Sequence, residues 1–184
     1  MRIVGGKYKG HHLVSFQASH IRPTTDRVKE SLFNIWQNDV PEARVLDLFC
    51  GTGSLGLEAL SRGARETIFV DKNPKSIDIL RKNIQKLKIN EPHQIITKDA
   101  LSYAKSFQGD PFDLIFIDPP FTQEMAHDVM LSVAASKLFH ERTLISIESG
   151  RREKIEDDYG TLYRYDVREF GDKFLSLFQP KAAP

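Results

Sequence analysis

The stretch Val45-Leu-Asp-Leu-Phe-Cys-Gly51-Thr-Gly-Ser-Leu-Gly56 decides the fold, because it contains a short apolar strand, a glycine loop and the start of a helix. Three glycines at G-x-G-x-x-G spacing directly after a strand let the backbone pass close to a ligand. Asp71 follows twenty residues after Gly51, where a carboxylate can bind ribose hydroxyls. A tight turn alone would explain one glycine better than three. The stretch therefore predicts a loop that binds a nucleoside-bearing cofactor.

Strands and helices alternate along the chain from Arg44 onward. Short apolar strands are predicted at residues 45–49, 67–70, 94–97, 114–117 and 144–147, with helices at about 54–62, from Asn73-Pro74, at 100–107 and at 123–137. Residues 161–170 and 173–179 alternate like an antiparallel pair joined by a turn at Gly171-Asp172. Such alternation is typical of a parallel sheet covered by helices on both faces. We predict an α/β, Rossmann-like domain over residues 41–184, with a mostly parallel seven-stranded sheet and an antiparallel C-terminal strand pair.

Three aspartates follow predicted strands, namely Asp71, Asp99 and Asp118. In such sheets ligands bind outside the carboxyl ends of the strands, where the strand order reverses. We therefore expect the three carboxylates and the glycine loop on one rim of the sheet. For Asp71 or Asp99 taken alone, ordinary strand-end capping is about as good an explanation.

The fourth predicted strand ends in Asp118-Pro119-Pro120-Phe121. Each proline fixes its own φ and lacks an N–H, and the residue before each proline is held extended. The carbonyls of Asp118 and Pro119 should therefore point outward with no helix or ladder donor to bind them. A carboxylate, a fixed carbonyl and a ring face can hold a flat group that carries an NH2. This segment predicts a site that grips an exocyclic amine.

Two features favour S-adenosylmethionine (SAM) over a nicotinamide cofactor. Asp47 lies inside the first strand, four residues before Gly51, where it could accept hydrogen bonds from an ammonium group or orient the loop. A pyrophosphate would be repelled by such a carboxylate. The segment from Asp118 to Phe121 has no role in hydride transfer, whereas it suits the orientation of an amine towards a methyl sulfonium.

Residues 1–40 are predicted to form an N-terminal appendage. Gly5-Gly6 between two β-prone runs indicates a small hairpin, and a helix capped by Thr24 or Thr25 should run to about Gln37 and pack on the main body. Residues 1–30 hold six Lys/Arg and two acidic residues, a net charge of +4, whereas the rest of the chain sums to −3. A basic segment suits a phosphate-backbone partner, although a solvated face explains the charge at least as well.

The length and composition of the chain limit the classes of protein to which it can belong. A chain of 184 residues that is 40% hydrophobic and 28% charged predicts a single globular domain with an appendage, and no apolar run suits a membrane span. The N-terminus has no apolar signal core, so we expect a cytoplasmic protein. The single cysteine, Cys50, excludes an internal disulfide and a cysteine-based zinc cluster, and no metal site is predicted. We expect a monomer.

The motifs quoted above resemble a known family. Asp47-x-Phe-x-Gly51-x-Gly53, Asp71, Asp99 and Asp118-Pro-Pro-Phe121 resemble class I SAM-dependent methyltransferases of the (D/N)PP(Y/F) amino-methylating type. Further segments, Arg2-Ile-Val-Gly-Gly-x-Tyr-Lys-Gly, Arg22-Pro-Thr-Thr-Asp-Arg-Val-Lys-Glu-Ser-Leu-Phe33 and Gly56-Leu-Glu-Ala-Leu-Ser-Arg-Gly63, resemble the bacterial 16S rRNA guanine-N2 methyltransferases, the RsmD-like family. The resemblance covers nearly the whole chain. It implies methylation of a guanine N2 in 16S rRNA, within an assembled or assembling small subunit. Phe121 departs from the commoner tyrosine, keeping the ring face and losing the hydroxyl.

The resemblance also implies a role for individual residues. The implied cofactor-binding residues are Asp47, Phe49, Gly51 and Gly53 at the methionine part, Asp71, Lys72 and Asn73 at the ribose, and Asp99 and Ala100 at the adenine. Asp118 and the Pro119 carbonyl would bind the target amine, with Pro120 stiffening the segment and Phe121 stacking on the base. The implied RNA-binding residues are Lys7, Lys9, Arg22, Thr24, Thr25 and Arg27, of which Arg22, Thr24 and Thr25 would close over the site.

Several alternatives stay open at this point. The same amine grip could serve an enzyme that methylates DNA adenine N6 or protein glutamine. A nicotinamide-dependent oxidoreductase is a weaker alternative, because no substrate domain accompanies the glycine loop. A non-enzymatic RNA-binding domain with a vestigial pocket disagrees with the intact Asp118-Pro-Pro segment. Cys50 as a nucleophile is disfavoured, because no histidine lies near it in sequence and lone cysteines mostly act as small buried hydrophobes.

Overall fold

A seven-stranded sheet forms the centre of the molecule in a computed structural model, which describes residues 1–16 and 26–182. The strands are β1 (Arg44–Leu48), β2 (Glu66–Asp71), β3 (His93–Thr97), β4 (Phe112–Ile117), β5 (Phe139–Gly150), β6 (Leu162–Phe170) and β7 (Lys173–Pro180). Their order across the sheet is β3-β2-β1-β4-β5-β7-β6. The first five strands are parallel, whereas β7 is antiparallel to both β5 and β6. The predicted fold is confirmed.

Helices cover both faces of the sheet. They are α1 (Asp26–Ile35), α2 (Ser54–Ser61), α3 (Pro74–Leu87), α4 (Ala100–Ser106) and α5 (Ala126–Ala134). Phe116 of β4 packs in the core cluster under α1, α2 and α3, whereas its neighbours Ile115 and Ile117 pack in the cluster under α4 and α5. Successive strand residues point to opposite faces. A strand covered on both faces must therefore be apolar throughout, as the run from Leu114 to Ile117 is.

The register of the central strands brings the predicted site residues together. Leu48 pairs with Val70 of β2 and with Ile117 of β4. The next residues on these three strands are therefore at the same level on the carboxyl rim, which places the glycine loop between Asp71 and Asp118. The strand order changes direction between β1 and β4. In folds of this kind, ligands bind at that point on the carboxyl rim.

The two arms of the predicted N-terminal hairpin do pair, but the predicted turn between them is wrong. A single antiparallel bridge joins Arg2 to His12, and consecutive turns rather than a two-residue Gly5-Gly6 loop lie between them. The cause is a tertiary contact: Lys7 N–H donates to the Ser61 carbonyl at 2.7 Å, and a Cβ on Gly6 would come within 1.9 Å of the same oxygen. The two arms of the segment therefore pair with each other, while the turn region between them bonds to the end of α2.

Other element boundaries also differ from prediction. Helix α5 begins at Ala126 and ends at Ala134, shorter than the predicted 123–137, because a 3-10 turn at Phe121–Gln123 precedes it. β5 is longer than predicted, since its outer part pairs with β7. α1 ends at Ile35, and its predicted Thr24 or Thr25 cap lies outside the described residues.

The predicted packing of α1 on the main body is confirmed, with Phe33 and Trp36 against Phe116 at centroid distances of 5.4 and 5.8 Å. The division of the chain into an appendage and a domain at residue 40 stays a prediction. Within the described ranges, no helix has the length and apolar character needed to span a bilayer.

Candidate active site

A cavity of about 380 Å³ opens on the carboxyl rim of the sheet. Its volume lies in the range of small-molecule binding sites, roughly 300–1,000 Å³. The glycine loop contributes Phe49 and Gly51 to its wall, β2 contributes Asp71, and the segment after β4 contributes Asp118 through Phe121. The structure therefore joins the predicted cofactor loop and the predicted amine grip in one space.

The glycine loop has an unusual backbone path. Phe49 has φ +68° and Gly53 has φ +91°, and positive φ in a residue other than glycine is uncommon and concentrates at functional sites. A Cβ on Gly53 would also lie 2.4 Å from the Leu80 side chain of α3. Gly53 is therefore required by conformation and by packing. It does not line the cavity, whereas Gly51 does.

Asp71 ties the loop to the second strand. One of its carboxylate oxygens accepts the Gly51 N–H at 2.8 Å, and the other accepts the Asn73 N–H at 2.8 Å. Asn73 in turn caps α3, as predicted, by accepting the Lys75 N–H at 3.0 Å. Asp71, Lys72 and Asn73 all line the cavity. A carboxylate has about four lone-pair positions, so Asp71 keeps acceptor capacity for a ligand hydroxyl.

Asp47 lies behind the loop rather than on the cavity wall. Its side chain is buried, and its Oδ2 accepts the Gly56 N–H at 2.8 Å. Burial raises the pKa of Asp47 to about 7, and the charges of Asp118 and Asp71 add to this rise while the Gly56 bond opposes it. Of the two roles predicted for Asp47, the contact with Gly56 performs loop orientation. Its contact with an ammonium group stays a prediction.

Of the two predicted adenine-binding residues after β3, Asp99 and Ala100, one lines the cavity. Ala100 lines the cavity, whereas Asp99 is not part of its lining. Asp99 caps α4 by accepting the Ser102 N–H at 2.9 Å, and this backbone bond lowers the pKa of the Asp99 carboxyl. Capping therefore accounts for this carboxylate in the structure, and its predicted bond to adenine stays a prediction.

The segment Asp118-Pro119-Pro120-Phe121 follows β4 and lines the cavity, as predicted. Asp118 is half-buried at the strand end, Pro119 is buried, and Pro120 is exposed. The ring of Phe121 is 41% exposed at the mouth of the cavity. A ring with a free face at the entrance can stack on a flat group whose amine reaches Asp118 inside.

Comparison with known proteins identifies the family. The family model described as "Conserved hypothetical protein 95" matches residues 1–179. The chain belongs to this family. It is 36% identical to the "Ribosomal RNA small subunit methyltransferase D" of Haemophilus influenzae, over 81% of this chain and 78% of that protein. It is 34% identical to the protein of the same name from Escherichia coli K12, over 81% and 74%. The solved structure of yhhF from Escherichia coli has a TM-score of 0.86 and 30% identity, covering 100% of this chain and 99% of that one.

These likenesses confirm the predicted RsmD-like resemblance, the class I methyltransferase fold and the methyltransferase class of enzyme. The roles assigned to single residues stay predictions. The family match extends through the N-terminal segment and through the C-terminal strand pair, so both belong to what its members share.

Two parts of the cavity wall were missed in the sequence. Lys173 at the start of β7 lines the cavity, and its Nζ lies 3.1 Å from the Glu148 carboxylate of β5. The antiparallel direction of β7 was the available signal, because an antiparallel strand begins on the rim where parallel strands end. The second part is Ser15 and Phe16, held beside the glycine loop by Asn83, which bonds both Val14 and Thr52.

Three of the predicted RNA-binding residues, Lys7, Lys9 and Arg27, lie in the described ranges, and none of the three lines the cavity. Lys7 pairs with Glu91 at 2.7 Å and is 60% exposed, which leaves its charge accessible at the surface. Lys9 and Arg27 are also exposed. Arg22, Thr24 and Thr25 lie outside the described residues. Lys7 lies between Ser61 at the end of α2 and Glu91 just before β3, so it is at the amino edge of the sheet, away from the cavity. A large partner rather than a cofactor would meet these surface charges.

Proposed function

We propose that this methyltransferase transfers a methyl group from SAM to the exocyclic N2 of a guanine in small-subunit (16S) rRNA. The observation that carries the proposal is the shared cavity, in which Asp118-Pro-Pro-Phe121 faces the glycine loop and Asp71. The curated relatives named as small-subunit rRNA methyltransferases support the choice of RNA.

The residues present fit SAM. The backbone of Gly51 would hold the methionine part, Asp71 would accept ribose hydroxyls, and Ala100 would lie along the adenine. Asp47 fixes the loop from behind through Gly56. When bound, SAM supplies an electrophilic methyl group on its sulfonium. The positive charge of the sulfonium suits a cavity whose wall carries the carboxylates of Asp71 and Asp118.

Asp118 and Pro119 orient the target amine. Guanine N2 is a poor nucleophile because its lone pair is delocalised into the ring. Hydrogen bonds from both of its N–H groups to the Asp118 carboxylate and the Pro119 carbonyl favour a pyramidal nitrogen aimed into the cavity. Rate then comes mainly from positioning and electrostatic preorganisation. The amine proton becomes acidic only once the methyl group has been transferred, so orientation outweighs proton abstraction in the role of Asp118.

Phe121 holds the base, and the surface lysines hold the backbone. The exposed Phe121 ring stacks on a guanine taken from a loop or flipped out of a helix. Lys7 and Lys9 contact phosphates of the RNA at a distance from the target base, because they lie towards the other end of the sheet from the cavity. The substrate is rRNA in an assembled or assembling small subunit, in the cytoplasm, and the enzyme acts as a monomer.

Product analysis tests this proposal. Small subunits and protein-free 16S rRNA, both from a strain that lacks the enzyme, are incubated with the protein and radiolabelled SAM. We expect label in N2-methylguanosine after nucleoside digestion and mass spectrometry, with subunits labelled faster than free RNA. Genomic DNA and a glutamine-bearing protein substrate serve as controls. Label in N6-methyladenine or methylglutamine, with none in rRNA, would contradict the proposal.

A further inference from the structure

An ion pair closes the side of the cavity that faces β5 and β7. Lys173 Nζ lies 3.1 Å from Glu148 Oε2, and the two side chains are only 14% and 6% exposed. Ile147 pairs with Ile117 across the sheet, and Gly150 pairs with Lys173. Glu148 is therefore level with Asp118, and Lys173 begins the next strand on the same rim. Both Asp118 and Lys173 line the cavity.

Lys173 is a cation in a part of the cavity that is otherwise rich in carboxylates. Two buried carboxylates lie on the strands beside Asp118: Asp47 of β1, whose pKa Asp118 raises, and Glu148 of β5, which is level with Asp118 in the sheet. Carboxylates that share a poorly solvated site raise one another's pKa. Lys173 supplies a cation inside the same group. Burial alone would lower the pKa of Lys173, but the charges of Glu148 and Asp118 outweigh burial and raise it, so Lys173 stays protonated.

Two further charged residues near this group, both in the described part of the chain, are more solvated. Asp172, in the turn before β7, acts weakly on Lys173, and Lys72 lines the opposite wall of the cavity but is exposed to solvent. Solvent screens exposed charges strongly. Of the two described lysines on the cavity wall, Lys173 is therefore the less solvated, and it interacts electrostatically with Asp118.

We propose that Lys173 is a positioning residue, which Glu148 holds in place and which keeps Asp118 ionised and fixed as the acceptor for the target amine. The inference rests on the proposed function. A protonated Asp118 would carry an O–H donor where the amine needs an acceptor, and the grip would fail. With Lys173 present, the set of Asp118, Glu148 and Lys173 carries a net charge of −1. That charge favours the positive charge that develops on the methylated nitrogen.

The pH dependence of turnover distinguishes this role from a merely structural one. Loss of the cation raises the pKa of Asp118, so activity should fail at a higher pH than in the wild type. For Lys173→Met we expect the acidic limb of the kcat profile to move up by at least one pH unit, which is a loss of tenfold or more on the falling part of the limb. Affinity for SAM should change less than threefold. Lys173→Arg keeps the charge and should keep the limb near its wild-type position.

Two further variants complete the experiment. Lys154→Met removes the lysine of an exposed pair with Glu156 and should leave the profile unchanged. Lys173→Gln retains a hydrogen-bond donor for Glu148 and replaces the methionine variant if that one does not fold, with the same shift expected. A uniform loss of activity with no change in the shape of the profile would overturn the role of Lys173. A wild-type enzyme that methylates no rRNA at any pH would instead overturn the proposed function.

Discussion

Asp71 accepts the Gly51 N–H at 2.8 Å and thereby fixes the glycine loop to the end of β2. Its other oxygen fixes the start of α3 through Asn73. One carboxylate thus shapes the cavity while facing it. The relationship explains why an acid twenty residues beyond the loop glycine belongs to the same site: parallel strands β1 and β2 end at the same level.

Replacement of Asp71 tests the cofactor half of the site. Asp71→Ala removes two charge-assisted bonds to the backbone as well as the predicted ribose contact. Hydrogen bonds to charged groups contribute about 1.5–3 kcal/mol each, so SAM affinity should fall by about 100-fold in calorimetry. Asp78→Ala, on the exposed side of α3, is the matched control. Equal SAM affinity in the two variants would remove Asp71 from the binding site.

The raised pKa of Asp47 predicts that the stability of the SAM-free protein depends on pH. Its pKa is about 7 in the folded state against 3.8 for the ordinary side chain, so the folded state binds the extra proton. Stability is therefore lost as pH rises from about 4 to 7, up to roughly 4 kcal/mol at 1.36 kcal/mol per pKa unit. Asp47→Asn keeps an acceptor for Gly56 and has no such loss.

The test is the difference in unfolding free energy between Asp47→Asn and the wild type, measured in urea at pH 5, 6 and 7.5. The unfolding free energy of the variant relative to that of the wild type should increase at each step up in pH. A difference that stays constant with pH would show that Asp47 is ionised throughout this range.

Glu58 predicts a large structural effect away from the cavity. It is fully buried, pairs with the fully buried Lys29 at 3.4 Å and accepts the N–H groups of Val4 and Gly5. Removing one partner of a buried pair costs about 3–5 kcal/mol. Glu58→Ala should lower the unfolding free energy by that amount in chemical denaturation, whereas the exposed Glu30→Ala on α1 should change it by less than about 0.5 kcal/mol. Similar values for both would mean that the pair contributes little.

The surface lysines predict a salt-dependent effect on RNA binding. Lys7→Glu with Lys9→Glu should weaken binding to 16S rRNA and flatten the slope of log K against log salt, because each lost phosphate contact lowers the slope by about 0.7–0.9. Lys105→Glu with Lys137→Glu, two exposed residues at the end of α4 and after α5, makes the same change in net charge and is the control. A salt slope equal to that of the control would return Lys7 and Lys9 to the role of solvated surface charges.

Local sequence was sufficient for the rim of the sheet, because its features follow from short-range rules. The residues from Val45 to Gly56 are enough to predict a strand, a loop and the start of a helix. The position of Asp71 and Asp118 at strand ends is enough to predict that they lie on one rim. Tertiary contacts explain the failures. Gly5-Gly6 does not form a hairpin turn because Ser61, far along the chain, pairs with Lys7. Lys173 and Asn83 reach the site through strand pairing and through bonds across 69 residues, which no local pattern encodes.

The Asp118→Ala variant tests the central claim most directly, with SAM binding measured by calorimetry and methyl transfer to small subunits measured in a single turnover. In the proposed mechanism Asp118 binds the amine rather than the cofactor. SAM affinity should therefore stay within about threefold of wild type while transfer falls by at least 1,000-fold, a loss of about 4 kcal/mol of transition-state stabilisation. Lost SAM affinity together with normal transfer at saturating SAM would contradict the account.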